Sequence, residues 1–585
     1  MLKTLMLNSA LILALLCLET AKASTSDDTE TSIRIAFLAD IHLHDPYEAA
    51  KGLPDNGLPK DPLTGEPLLL RSMHGQLHST RLFNENYWVL RAALDTIVQQ
   101  GINLVALPGD FSDDGQPANI TALTQVLDEY SERYNLRFYA INGNHDPTRP
   151  YSRPGGKTDF LSSDGSEIAV ASQDHQACKN QQASLCTNAL QEWGYAEIIA
   201  TMSDHGFMPH QADLLFETPF GTKEMNRRHW DWCNHKNQCI AMPDSSYLVE
   251  PVEGVWLLAI DANVYEPVGD YSNRQFKGSG NAGYNALLHY KPKLIEWISD
   301  VAGRAKAKNK KLIAFSHFPM ADFYDSQATT MAQLFGNQAM QLKRLPHQST
   351  TEALAATGLT LHFAGHMHLY DLFTSEQHGL LNVQVPSLAA YQPGYTVLTV
   401  KQGNHANIET VVVKEVPNFN RWFTLYQTEW QYRLNQGITN WPASTLLTTN
   451  YSDFTNAHLK QVIRQRYLQH EWPKDLASVF TQHSVQRVLK LAGCPISDDL
   501  PSDFLESTAM LFIDDYYRAR NAGEFAELEG DIKIYHQLYR HLVEGQCDGS
   551  LSSIRLEQRV NKVMQLILET LNSAQQDKQH FNIIL

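Results

Sequence analysis

Five short motifs in the 585-residue chain hold the side chains best suited to binding metal: Asp40-Ile41-His42, Gly109-Asp110, Gly143-Asn144-His145-Asp146, His317 and Gly365-His366-Met367-His368. Carboxylate oxygen, imidazole nitrogen and amide oxygen together suit divalent transition metals, and an aspartate can bridge two ions. In an extended segment residues two apart point to the same side, so Asp40 with His42, and His366 with His368, can each address one site. Singly, each signal has an ordinary explanation. An Asp at a strand end is often a cap, Gly-Asp is a turn, and a lone His is more often a satisfied core residue than a ligand. Gly365-His366-Met367-His368 is the most specific, because two imidazoles converge beside a flexible glycine. Their order and shared position strengthen the set: each motif falls at or just after the carboxyl end of a predicted strand.

Those strands are short apolar runs at 33–39, 104–108, 138–141, 255–260, 312–315 and 359–364, apolar nearly throughout, as strands buried on both faces are. Helical patterns at 87–99, 120–134 and 292–307 lie between several of them. The alternation predicts an α/β layer fold, which carries its sites at the carboxyl ends of the strands. The stretch 147–250 breaks the pattern with Gly, Ser, Asn, Gln and four cysteines, and reads as a loop-rich insertion stapled by disulfides over the strand ends. Beyond about residue 416, helical spacing at 455–470, 475–491, 502–521, 525–543 and 551–571 predicts a separate all-α domain, 416–585.

The ordered series D-x-H, G-D, G-N-H-D, H and G-H-x-H resembles that of the calcineurin-like metallophosphoesterases, over about 33–400 apart from the insertion. The resemblance implies a β-sandwich flanked by helices, within a catalytic domain of residues 24–415. It also implies that Asp40, His42 and His368 hold one metal ion, that Asn144, His317 and His366 hold another, and that Asp110 bridges them. His145 would be the acid that binds no metal, oriented by Asp146. Two ions about 3.5 to 4 Å apart would lower the pKa of a bound water, whose hydroxide attacks phosphorus while His145 protonates the leaving alkoxide. The ions are open among Zn, Mn, Fe and Co. A phosphodiesterase is preferred, similar to an exported, acid sphingomyelinase-like branch, because of the export signal, the cysteines and the insertion. The alternatives are a phosphomonoesterase or nucleotidase, and a binding scaffold that keeps the fold without catalysis.

Hydrophobic residues at 43% and charged residues at 19% describe an ordinary globular chain, long enough for roughly two to four domains. A net charge of −17 without a dense basic run argues against a nucleic-acid binder, whose affinity comes from clustered Lys and Arg. Met1-Leu2-Lys3, an apolar stretch at 11–16 and Ala21-Lys22-Ala23 fit a signal peptide, residues 1–23, cleaved before Ser24. The protein is therefore expected to be exported, periplasmic or secreted, with no transmembrane segment after signal removal, since no later run of about 18 apolar residues occurs. Six cysteines remain, for which the simplest pairing joins Cys178 to Cys186, Cys233 to Cys239 and Cys494 to Cys547. Gly278 to Gly283 fits G-x-G-x-x-G, but no convincing strand precedes it, so it reads as a loop. His44, His74, His78, His229 and His235 read as loop histidines rather than ligands.

Overall fold

The first strand, Ile33–Phe37, alternates its side chains between two apolar layers: Ile35 and Phe37 face a second sheet, while Ala36 faces helices. The structure, a computed structural model, describes residues 32–54, 57–375, 378–493, 500–543, 555–574 and 580–584. The expected signal segment, 1–23, and both Cys494 and Cys547 lie outside the described residues.

Two sheets of six and seven strands form the centre. In the first, Ile33–Phe37 runs parallel to Leu104–Pro108, which runs parallel to Arg137–Ile141. In the second, Val255–Ile260, Lys311–Ser316, Leu361–Ala364 and Leu381–Gln384 are successive parallel neighbours. Apolar side chains from both sheets interdigitate in one buried layer, with Phe37 stacked on Phe363 at a centroid distance of 3.7 Å and an interplanar angle of 7°. Helices Asn86–Gln99 and Pro117–Tyr134 cover the outer face of the first sheet, and Gly283–Tyr290 and Pro292–Ala307 that of the second. Proline opens both Pro117–Tyr134 and Pro292–Ala307, where its missing N–H costs nothing, and Asn135 ends the former in the left-handed conformation at φ 56°. Two facing sheets flanked by helices are the sandwich that the resemblance implies.

The stretch expected to be loop-rich carries more regular structure than its composition suggests. It folds a three-stranded sheet from Gly156–Leu161, Glu167–Ala171 and Leu185–Cys186, and a hairpin from His229–Cys233 and Cys239–Pro243. Disulfides join Cys178 to Cys186 and Cys233 to Cys239. Leu215–Glu217 and Tyr247–Val252 leave the insertion to extend the second sheet, because Tyr247 and Val249 are buried in the inter-sheet layer.

Residues after 416 are mainly helical, but departures from the expected pattern occur, and the expected 502–521 helix is two, Ser502–Glu506 and Met510–Ala522. The 475–491 segment breaks into Lys474–Gln482 and Val485–Leu491, where the Ser484 side chain caps the second helix by accepting from the Arg487 N–H. The region is also not all-α: His580–Ile584 pairs antiparallel with His405–Val412 and closes the edge of the first sheet, where Phe581 and Ile583 pack against the inter-sheet core. Trp422, Tyr426 and Phe454 share the core that covers the first sheet, so this region begins on the catalytic layer. Its later helices build a second core with Met367, Leu369 and Tyr391 of the strand-end loops. Among the described residues no helix is long and apolar enough to cross a membrane.

Removing the ring at Phe363 opens a void between the sheets three residues before His366. Phe363→Ala is expected to destabilise the protein by about 3–5 kcal/mol, read as a lower thermal midpoint, and an unchanged midpoint would mean that the stack carries no packing energy.

Candidate metal centre

Each expected donor follows a strand of the two facing sheets, and the turns that present them are tight. Asp40, His42, Asp110, His366 and His368 all have positive φ, between 45° and 75°, in the left-handed region that non-glycine residues seldom adopt. Such strain persists only where surrounding structure enforces it, and it concentrates at functional sites. Glycines permit the close approach: a Cβ on Gly143 would lie 2.2 Å from an Asp110 carboxylate oxygen, and one on Gly365 would lie 2.5 Å from an Asp40 oxygen.

Two donor clusters result, Asp40 with His42 and His368, and Asp110 with His317 and His366. In the first, His42 Nε2 lies 3.1 Å from His368 Nε2, and His368 Nε2 lies 3.3 Å from Asp40 Oδ1. In the second, His317 Nε2 is 3.2 Å from Asp110 Oδ2, 3.1 Å from His366 Nδ1 and 3.1 Å from Asn144 Oδ1. The clusters meet at Asp110, whose Oδ2 is also 3.7 Å from His42 Nε2. Asp110 Oδ1 accepts from the His145 N–H at 2.7 Å, which leaves Oδ2 for both clusters.

The donors fit two metal ions. Imidazoles that bring nitrogen to nitrogen at 3.1 Å need a proton or a cation between their lone pairs. Ligands about 2.0–2.2 Å from one ion would sit roughly 3 to 3.5 Å apart, which is the spacing seen. Burial, then the charge of Arg81, holds His42 well below the usual histidine range, and burial, then Arg344, does the same to His366. Burial also lowers His317, but the Asp110 carboxylate outweighs it and lifts that ring to about 9.

His145 stands beside this centre, its ring edge-on to His42 at a centroid distance of 5.2 Å. The expectation that Asp146 orients the ring is corrected by the geometry. Asp146 accepts instead from the Gly143 N–H at 2.7 Å and from the Ser112 N–H and hydroxyl at 3.0 Å each, and so braces the two loops against each other. Burial, and then repulsion from Asp110, pushes its carboxyl up to about 8. The partner of His145 Nδ1 is Asp114, at 2.5 Å, with Arg81 Nη2 at 3.3 Å from the same nitrogen. Lys157, from the insertion, pairs with the other oxygen of Asp114. The motif Gly109-Asp110-Phe111-Ser112-Asp113-Asp114 offered a signal for Asp114, since two further carboxylates follow the strand end. Nothing local pointed to Arg81 or Lys157.

The sequence model of the calcineurin-like phosphoesterases matches residues 33–370, more than half of the chain. The chain belongs to the calcineurin-like phosphoesterase family. No curated protein matches it in sequence. Among solved structures, a dimetal phosphatase from Danio rerio is 11% identical, over 65% of this chain and 98% of that one, with a TM-score of 0.32. The purple acid phosphatase PPD1 from yellow lupin (Lupinus luteus) seeds is 10% identical, over 66% of this chain and 52% of that one, with a TM-score of 0.29. GAP50, the anchor in the inner membrane complex of Plasmodium, is 12% identical, over 65% and 85%, with a TM-score of 0.27. No functional weight rests on likenesses this remote.

In this calcineurin-like phosphoesterase the donors open into a cavity of about 220 Å³, lined on the catalytic side by Asp110, Asn144, His145, His366 and His368. The C-terminal helices supply His458, Arg466, Tyr467 and Arg520 to the same lining, and Arg344 joins them from the segment after the His317 strand. The expected loop spans 278–282, Gly283 instead opens the helix Gly283–Tyr290, and Gly280 packs beside Asn144. Of the histidines read as loop residues, His44 is buried with its Nε2 2.8 Å from the Leu69 carbonyl, outside both clusters.

A metal ion needs the lone pair that a proton occupies on His317 in the metal-free chain at neutral pH. Loading metal near neutral pH is expected to release roughly one to two protons, from His317 and in part Asp146, and the release should fade as the pH rises beyond their values of about 9 and about 8. Calorimetric titrations in two buffers of different ionisation enthalpy measure it, and equal heats in both buffers would contradict the protonated His317.

Proposed function

We propose that the chain is an exported hydrolase of phosphoric esters that works with two metal ions. Asp40, His42 and His368 would hold one ion, Asn144, His317 and His366 the other, and Asp110 would bridge them. The observation that carries this reading is the meeting of the two donor clusters at the single oxygen Asp110 Oδ2. Bound ions would supply Lewis acidity, activating a water and neutralising charge on the phosphoryl oxygens. Mixed nitrogen and oxygen donors suit Zn, Mn, Fe or Co alike.

The chain's own part is positioning and proton transfer. Asp114 accepts from His145 Nδ1 and so fixes the ring, leaving Nε2 to carry a proton to the departing ester oxygen. Lys157, Arg81 and Arg71 surround the Asp113–Asp114 pair and keep both carboxylates ionised: despite burial, Lys157 above all holds each below the usual range. Burial of Asp40, His42 and His317 keeps bulk water away from the donors, so their charges act at full strength. The two disulfides support export, because such bonds persist in oxidising compartments. The expected diester preference gains no support from the cavity, whose arginines favour an ester of higher negative charge.

Hydrolysis of a chromogenic phosphodiester and the matching monoester tests the proposal. Turnover should disappear on chelation and return on metal add-back, and Asp110→Asn should lower it by at least about a hundredfold. His145→Ala is expected to cost roughly 10²–10⁴ in kcat with both metals retained, and Asp114→Asn roughly ten- to a hundredfold. Full activity of metal-loaded His145→Ala would remove the assigned acid, whereas a chain that retains no metal and turns over neither ester would be a scaffold.

A further inference from the structure

Three arginines from separate parts of the chain line the cavity in front of the donor clusters: Arg344, Arg466 and Arg520. Among the described residues none of them forms an ion pair with a carboxylate. Arg520 is 8% exposed, and its Nη1 is buried without a hydrogen-bond partner, while its Nε bonds Asn521 Oδ1 at 3.1 Å. The Tyr517 and Tyr467 rings lie 4.8 and 5.5 Å from its guanidinium carbon and hold that group in place. Arg344 is positioned by neutral groups alone, with Nη1 on Gln341 Oε1 at 2.8 Å and Nε on Asn281 Oδ1 at 3.3 Å. Arg466 projects from a π-helical turn, Ile463–Tyr467, a local irregularity common at functional sites.

Keeping the buried Arg520 guanidinium without a carboxylate is costly, and Arg344 and Arg466 add like charge to the same cavity. Glu471 shares their surroundings, with one carboxylate oxygen buried and unpartnered, and Asp110 lines the same cavity and acts on Arg344; these two carboxylates balance at most two of the three charges. The surplus lines the same cavity as Asp110, Asn144, His366 and His368, where it faces any ligand those donors engage.

We infer that Arg344, Arg466 and Arg520 form a second anion subsite, and that the substrate is a small phosphoester bearing a second phosphoryl group. The inference rests on the proposed hydrolase reading for the first group and adds the chemistry that selects the second. Guanidinium groups suit phosphoryl oxygens through paired, charge-assisted hydrogen bonds. They would repel an ester with a cationic headgroup, which separates this substrate class from a choline-type diester. The C-terminal helices thereby act as a specificity element, since two of the three arginines come from them.

The test uses the metal-loaded full chain and a series of alkanediol bisphosphates of increasing length, each compared with the corresponding monophosphate. At least one bisphosphate should exceed its monophosphate in kcat/KM by roughly tenfold or more, through KM. In Arg466→Gln and Arg344→Gln that ratio should fall towards about two. Arg466 is exposed, so its substitution leaves the fold intact, and an unchanged thermal midpoint verifies this. No advantage at any length, or an advantage that survives both substitutions, would overturn the subsite. If the metal-loaded wild type turns over no ester, the hydrolase reading fails separately. Calorimetric binding of the same bisphosphates then decides: tighter binding than the monophosphate, lost in Arg466→Gln, upholds the subsite, and equal binding overturns it.

Discussion

Asp110 is the carboxylate on which the rest of the site depends. One oxygen takes the His145 N–H and thereby sets the turn of Gly143-Asn144-His145-Asp146, while the other lies within 3.7 Å of ring nitrogens from both donor clusters. Its backbone is left-handed at φ 49°, and the loop opposite approaches so closely that only glycine fits at 143. Both constraints cost free energy, and both are met because the Leu104–Pro108 and Arg137–Ile141 strands are locked side by side. Burial alone would protonate Asp110, yet the charges of His317 and His145 hold it ionised. Displacing this carboxylate would therefore disturb both clusters and His145 together.

The donors were legible in the sequence because each depends on local order: an apolar strand, a tight turn, then a ligand type. Asp40, Asp110, Asn144, His317, His366 and His368 all follow that grammar, and the fold that joins them follows from strands alternating with helices. Asp114 and Asp146 show where the grammar stops. Asp146 adjoins His145 in sequence whereas Asp114 lies 31 positions before it, and only the meeting of two separate loops decides which carboxylate reaches the ring. The helical segment misled for a related reason. Its periodicity marks amphipathic faces but not the partner of each face, so the return of His580–Ile584 to the first sheet had no local sign.

Lys157 and the arginines were beyond reach for a different reason. Each acts on residues far from it in the chain: Lys157 pairs with Asp114 across 43 positions, and Arg466 and Arg520 line a cavity whose donors end at His368. Such contacts come from the insertion and the C-terminal helices, whose composition shows only that they are folded. These two segments nonetheless divide the supporting work. The insertion supplies Lys157 to Asp114, the partner of His145, and the helices complete the wall of the cavity.

Charge explains why an acidic protein can still bind anions at this place. The net charge of −17 belongs to the whole surface, whereas the cavity lining holds Asp110 together with Arg81, Arg344, Arg466 and Arg520. Two divalent ions would offset Asp40 and Asp110 with positive charge to spare, and Arg344, Arg466 and Arg520 extend that field outward. Because low-dielectric walls focus the field, the local potential rather than the average governs which ligands enter. An anionic ester would then meet increasing positive charge as it approaches the donors, while the acidic exterior discourages polyanions that bind by surface charge alone. The selectivity would thus lie in the charges that line the cavity, and that lining is completed by packing the C-terminal helices against the strand-end loops.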